Sequence, residues 1–212
     1  MAETWSFFIV ALTTLFVIVE PFGVVPMFAA MTAGRPAAET RRIALRASLV
    51  GAGVLVAFTF GGRLLLDVLG VRIDAFRMAG GLLLLLTAIE MLRGKRQTCR
   101  CNPAELDDAR SKDDIAVVPL AIPLLAGPGS MAAVMMLMSR ASGGGAVAAI
   151  LLAIAITFAV SFVVLRGAST VSRVLGPAAM AAIQRVLGLV LAAMSLQFIV
   201  EGAVNLLRSI NG

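Results

Sequence analysis

The chain has 212 residues, 60% of them hydrophobic and only 14% charged, with a mean hydropathy of +0.99. Soluble domains average about 45–50% apolar and about 25% charged residues, so the chain reads as an all-α polytopic membrane protein and not as a soluble domain. The net charge of +6 does not read as nucleic-acid binding, because aromatic residues make up only 6% and the basic residues show no groove pattern.

Taken in order, six segments meet the length of about 20 mostly apolar residues that a span requires. The first runs from about Trp5 to Met31 and is interrupted by Val19-Glu20-Pro21-Phe22-Gly23-Val24-Val25-Pro26. Its opening residues, Met1-Ala2-Glu3-Thr4, carry no Lys or Arg, unlike the positive start of a cleavable signal peptide, so this helix is expected to stay. A basic stretch with Arg35, Arg41, Arg42 and Arg46 follows. The second segment, about Ala44 to Leu69, carries Gly51, Gly53, Gly61 and Gly62, which permit close packing. The third runs from about Phe76 to Leu92.

A charged linker, residues 94–114, then separates the first half, 1–93, from the second, 115–212. Its two cysteines, Cys99 and Cys101, are one residue apart. That is too close for a zinc-type pair, and they read as thiols of a reducing cytosolic loop. The fourth segment, about Ile115 to Met138, is interrupted by Leu125-Ala126-Gly127-Pro128-Gly129-Ser130, 107 residues after the first interruption. The fifth runs from about Ala146 to Leu165 and the sixth from about Gln184 to Leu207.

Counting Lys and Arg on alternate sides gives thirteen on the side of the first, third and fifth loops and five on the other. The richer side is expected to be cytoplasmic. The chain is therefore expected to be multi-pass in the plasma (inner) membrane, with both termini outside, in the periplasm. Arg77 and Arg185 begin their helices and read as interfacial anchors, while Glu90 and Glu201 lie near span ends, where a charge is cheap.

The two halves resemble each other. Val68-Leu69-Gly70 matches Val174-Leu175-Gly176, Gly80 falls opposite Gly188, Thr87 opposite Ser195 and Pro21 opposite Pro128. Three spans per half force the second half to enter the membrane from the opposite side. The expected fold is thus six transmembrane helices in two inverted three-helix repeats, the first and fourth helices broken at the midplane. Breaks at equivalent places in two such repeats point to a transporter site.

The breaks have a chemistry. A proline in a helix lacks an N–H and clashes with the carbonyl four residues back, so Pro21, Pro26 and Pro128 are expected to free the carbonyls of Val17, Phe22 and Leu124. Backbone freed inside a membrane is tolerated only where protein buries it or a cavity receives it. Each half-helix that starts after a break presents N–H groups with partial positive charge, and each that ends there presents carbonyls. Together they suit a ligand with one carboxylate and one ammonium. The expected substrate-binding residues are Glu20, Pro21, Gly23, Pro26, Gly127, Pro128, Gly129 and Ser130. Glu20, the one acidic residue deep in a span, is also the expected ion-coupling group for H⁺ or Na⁺. The alternative for Glu20 is a protonated side chain that bonds a freed carbonyl and holds the kink. The other polar residues within spans, Thr13, Thr14, Thr87, Thr157, Ser161, Ser195 and Gln197, read as helix–helix hydrogen bonders.

With no histidine, no clustered acids and no nucleophile–base pair, neither a metal site nor an enzyme active site is expected, and no catalytic residue is assigned. No Gly-x-x-x-x-Gly-Lys-Ser/Thr stretch occurs, so no nucleotide cofactor is implied. The expected partners are a small neutral amino acid, the lipid bilayer and the coupling ion. Small-residue faces on the second and sixth helices also permit homo-oligomers.

Two motifs carry a family resemblance. Glu20-Pro21-Phe22-Gly23-Val24-Val25-Pro26-Met27-Phe28 resembles the Asp-Pro-x-Gly-Asn-x-Pro-x-Phe motif of the MarC family, also called the neutral amino acid transporter family, with Glu20 in place of Asp and Val24 in place of Asn. Pro123-Leu124-Leu125-Ala126-Gly127-Pro128-Gly129 resembles the family's Pro-Leu-x-Ala-Gly-Pro-Gly. The resemblance implies a bacterial inner-membrane protein that moves small neutral amino acids such as glycine and alanine. An ion or small-solute channel and a non-transporting scaffold or regulator are the alternatives.

Overall fold

The computed structural model describes residues 2–93 and 116–210, which are almost wholly helical. The helices are α1 (Ala2–Val19), α2 (Pro21–Met31), α3 (Ala37–Val68), α4 (Ile73–Leu92), α5 (Ala116–Leu125), α6 (Pro128–Ser139), α7 (Gly144–Arg166) and α8 (Ala168–Ile210). The charged linker expected over 94–114 lies outside the described residues.

Among the described residues, five stretches are long and apolar enough to cross a membrane: Glu3–Met31, Ala37–Val68, Ile73–Leu92, Gly144–Arg166 and Ala178–Arg208. The fourth expected span departs from the other five. It divides into α5, which winds as a π-helix, and the shorter apolar α6. Pro119 and Pro123 have no N–H to give to an ordinary helical ladder. The wider winding shows at the end of α5, where the Ala126 N–H donates to the Ala121 carbonyl five residues back, at 2.9 Å. The sixth span begins earlier than Gln184, because α8 bends at Gly176 (φ 66°) and no breaker follows Pro177. Gly70, which precedes α4, has the same positive φ of 66°, a backbone conformation that glycine adopts without steric cost.

Packing in the first half recurs in the second with partners exchanged. α1 packs on α7 as α5 packs on α3; α2 packs on α8 as α6 packs on α4; α2 meets α7 as α6 meets α3. α3 also lies on α7, and α4 on α8. Glycines bring α4 and α8 close. A Cβ on Gly81 would stand 2.9 Å from the Ser195 carbonyl oxygen, and one on Gly188 would stand 3.3 Å from the Ala88 carbonyl oxygen. Gly81 and Gly188 are 107 residues apart, as are Ala88 and Ser195. Small residues at such crossings let backbones approach and gain van der Waals contact where lipid offers no hydrophobic drive.

The outer surface is apolar, with Trp5, Leu49, Leu64, Val163 and Leu189 among its exposed large side chains. Several hydroxyls within the spans bond to their own helix. Those of Thr13, Thr87, Ser161 and Ser195 each donate to a carbonyl of their own helix, at 2.7–3.0 Å. A short hydroxyl side chain reaches the carbonyl three or four residues back without any neighbour, so local geometry wins.

Candidate functional site

The first break falls on Glu20. α1 ends as the Glu20 N–H donates to the Phe16 carbonyl at 3.1 Å. Glu20 itself takes the left-handed conformation, φ 52° and ψ 61°, the only non-glycine residue with positive φ among those described. Such a backbone costs of the order of 1–3 kcal/mol and persists only where the surrounding structure over-determines it, which is most often at functional sites. Pro21 then occupies the first position of α2, where its missing N–H has no helical partner to lose. It cannot donate to the Val17 carbonyl, as the sequence anticipates. Pro26, by contrast, sits inside α2 without interrupting it, and is exposed.

Gly23 is there for the carboxyl group of Glu20. The side chain folds back over the first turn of α2, and a Cβ on Gly23 would collide with it, 2.6 Å from Cδ and 3.1 Å from Oε2. Glu20 is only 4% exposed. The break therefore buries an acidic side chain against a helix N-terminus, inside the most apolar of the first half's spanning stretches.

The second break is built from different parts. Leu125 ends α5, Gly127 is extended (φ −81°, ψ 173°), and Pro128 opens α6. The Met131 N–H donates to the Gly127 carbonyl at 3.0 Å. Ser130 Oγ donates to the same carbonyl at 2.9 Å. The N–H groups of Gly129 and Ser130 belong to the first turn, which has no preceding helical carbonyls to serve. Gly129 must lack a side chain because Leu84 of α4 lies against it, its Cγ 2.7 Å from where a Cβ would be.

The two breaks open into one cavity of about 300 Å³. Glu20 with the end of α1 forms one wall; Gly127, Pro128, Gly129 and Ser130 form the opposite one; Leu83, Leu84, Thr87 and Glu90 of α4 close the third. The volume is at the lower end of the range for small-molecule pockets, about 300–1,000 Å³. Beside the hydroxyl residues Thr87 and Ser130, its walls hold backbone N–H groups at the start of α6, which attract an anion, and the carboxyl groups of Glu20 and Glu90, which attract a cation.

Of the eight residues singled out from the sequence, five line this cavity: Glu20, Gly127, Pro128, Gly129 and Ser130. Pro21 and Gly23 are buried behind Glu20, and Pro26 is on the far side of α2. Two polar wall residues, Thr87 and Glu90, are not among the ligand contacts expected from the sequence. In sequence Glu90 reads as a charge near a span end and Thr87 as a helix–helix hydrogen bonder. Their spacing on α4 held the signal, since Leu83, Thr87 and Glu90 fall at i, i+4 and i+7, one face of a helix.

A family model for the MarC family integral membrane protein matches residues 5–207. The chain belongs to the MarC family. Relatives of this MarC-family chain span nearly its whole length. The UPF0056 membrane protein MJ1677 of Methanocaldococcus jannaschii is 37% identical over 93% of the chain and 96% of its own length. YvbG of Bacillus subtilis is 35% identical over 93% of the chain and 94% of its own. YhcE of Escherichia coli is 35% identical over 89% of the chain and 87% of its own. No solved structure matches the chain.

Proposed function

We propose that this MarC-family chain is a secondary transporter of small neutral amino acids such as glycine and alanine, working by alternating access in the plasma membrane and coupled to H⁺ or Na⁺. The observation that carries the reading is the convergence of both helix breaks on one small cavity. In it, the ligand carboxylate lies at the start of α6, on the N–H groups of Gly129 and Ser130. The ammonium lies toward Glu20 and Glu90. The glycines of the second break let a small ligand approach the backbone closely.

The architecture we infer is a pair of inverted three-helix repeats, α1–α4 and α5–α8, with the breaks near the membrane midplane. The exchanged helix contacts support it, as do the paired close approaches Gly81–Ser195 and Gly188–Ala88. Such repeats rock against each other about a central site. Glu20 is the coupling group: its charge state, or a Na⁺ at its carboxylate, changes with the side of the membrane to which the cavity opens. We infer both termini to be periplasmic from the basic bias of the loops. Homo-oligomers remain compatible with the small-residue faces.

Uptake of labelled glycine and alanine into proteoliposomes tests the reading. Saturable uptake is the expected result. Flux that rises linearly with concentration would favour a channel, and no flux under any gradient would leave a scaffold.

A further inference from the structure

A second cavity, of about 450 Å³, lies on the same pair of helices as the first. On α1 it is lined by Glu3, Phe7, Val10 and Thr14, which follow one another at helical spacing down one face. The next residue on that face, Ile18, already belongs to the wall of the first cavity. One turn of α1, about 6 Å, therefore separates them. On the other side, α6 starts at the first cavity with Pro128 and reaches the second at its end, with Leu137 and then Arg140. α8 completes the second cavity with Gln197 and Glu201.

Its polar part is an acid–base couple. The Arg140 guanidinium pairs with Glu201 Oε2, and Gln197 Nε2 donates to Glu201 Oε1 at 3.0 Å. Behind them lies Arg77, which the sequence marks as an interfacial anchor but which is 7% exposed. Its Nη1 is 3.7 Å from Glu201 Oε2 and 4.0 Å from Asp74 Oδ1. Asp74 also accepts from Asn205 Nδ2 at 3.3 Å. Two cations thus balance two carboxylates. Arg140 differs from Arg77 in being open, with 45% of its side chain exposed. An exposed ion pair contributes little to stability, so Arg140 can leave Glu201 while Arg77 stays.

We propose that this outer cavity is a second binding site for a small zwitterionic amino acid. Arg140 takes the ligand carboxylate, the geometry a guanidinium favours, and Glu201 together with Glu3 takes the ammonium. A zwitterion offers a counter-charge to each member of the Arg140–Glu201 pair, with Glu3 adding to the acidic side of the cavity. Phe7 and Val10 offer an apolar surface to the ligand side chain. The proposal rests on the reading above for its ligand class, and it makes the groove between α1 and α6 a path with two stations.

The test is equilibrium binding of labelled alanine to the purified full-length protein. Two sites per chain are expected in the wild type. Arg140→Gln should remove one, and so should Val10→Trp, which fills the outer cavity without touching the ion pairs. Gly129→Leu should remove the other, with Leu83→Trp as a second way to fill the first cavity. A single site abolished by Gly129→Leu or Leu83→Trp and untouched by Arg140→Gln and Val10→Trp would overturn the outer site and leave the inner one. A single site with the opposite pattern would keep the outer site and overturn the inner. No binding at all would overturn both.

Discussion

Gly23→Ala tests the arrangement at the first break. In an open helix this change stabilises by about 0.5–1 kcal/mol, because glycine loses the most backbone freedom on folding. Here the new Cβ would stand 2.6 Å from Glu20 Cδ, against about 3.4 Å for an ordinary contact, so the carboxyl group must retreat by about 0.8 Å in a close-packed interior. Glu20 is 4% exposed but borders the cavity of about 300 Å³, so its carboxyl group can retreat only by turning toward that cavity and away from the turn of α2. Pushing it off its rotamer costs about 0.5–1.5 kcal/mol, and overpacking a core costs about 1–3 kcal/mol. The net expectation is destabilisation by about 1–2 kcal/mol, or about 2–8 °C in Tm for a chain of this size. Thermal unfolding in detergent reads it directly. Gly53→Ala, where nothing lies within 4 Å of the new Cβ, should raise Tm slightly or leave it unchanged. The decisive comparison is Gly23→Ala made in a Glu20→Ala background, where the collision is gone and the substitution should become neutral or stabilising. Equal destabilisation in both backgrounds would refute the reasoning, because the double-mutant cycle would show no coupling between the two residues.

Gly81→Ala and Gly188→Ala should each lower Tm, by an overpacking cost of about 1–3 kcal/mol, since both insert a methyl between α4 and α8; a neutral result in both would remove the close crossing. Glu90→Gln should raise the alanine concentration for half-maximal uptake about 5-fold, as expected for the loss of roughly 1 kcal/mol of attraction at a partly solvated site. Glu39→Gln on α3, paired with Arg35 away from the cavity, should not change it. A membrane-impermeant thiol reagent should label Cys99 and Cys101 in inside-out vesicles and not in intact cells; the reverse would invert the orientation.

Much of the fold was legible because its signals are local. Long apolar blocks mark spans, and Pro with Gly inside them marks breaks. Gly70 and Gly176 stand out as matched and have the same backbone φ. Position within a break was less legible. A proline at the first position of a helix keeps its predecessor out of the helical conformation, yet Gly127 before Pro128 is extended while Glu20 before Pro21 is left-handed, so the proline alone does not say where the strain falls. Pro26 carries the same chemistry in sequence, yet α2 continues through it, since packing can hold a helix past one lost hydrogen bond. Arg77 was misread because its partner Glu201 lies 124 residues away. Arg185, which the repeat sets opposite it, is exposed, and the helix contacts follow an offset of 107, one residue short of that match. A charge near a span end has a cheap interpretation, so Glu90 is not legible as a site residue until the fold brings it into the wall that α4 supplies.

The most direct measurement is flux of labelled glycine and alanine into proteoliposomes, with and without H⁺ and Na⁺ gradients, for the wild type and Glu20→Gln. Saturable flux driven by a gradient in the wild type, persisting without gradient dependence in Glu20→Gln, is the expected result and makes Glu20 the coupling group. Saturable flux unchanged by the substitution would reduce Glu20 to the residue that holds the kink. Absence of flux from the wild type under every gradient would contradict amino-acid transport through the cavity.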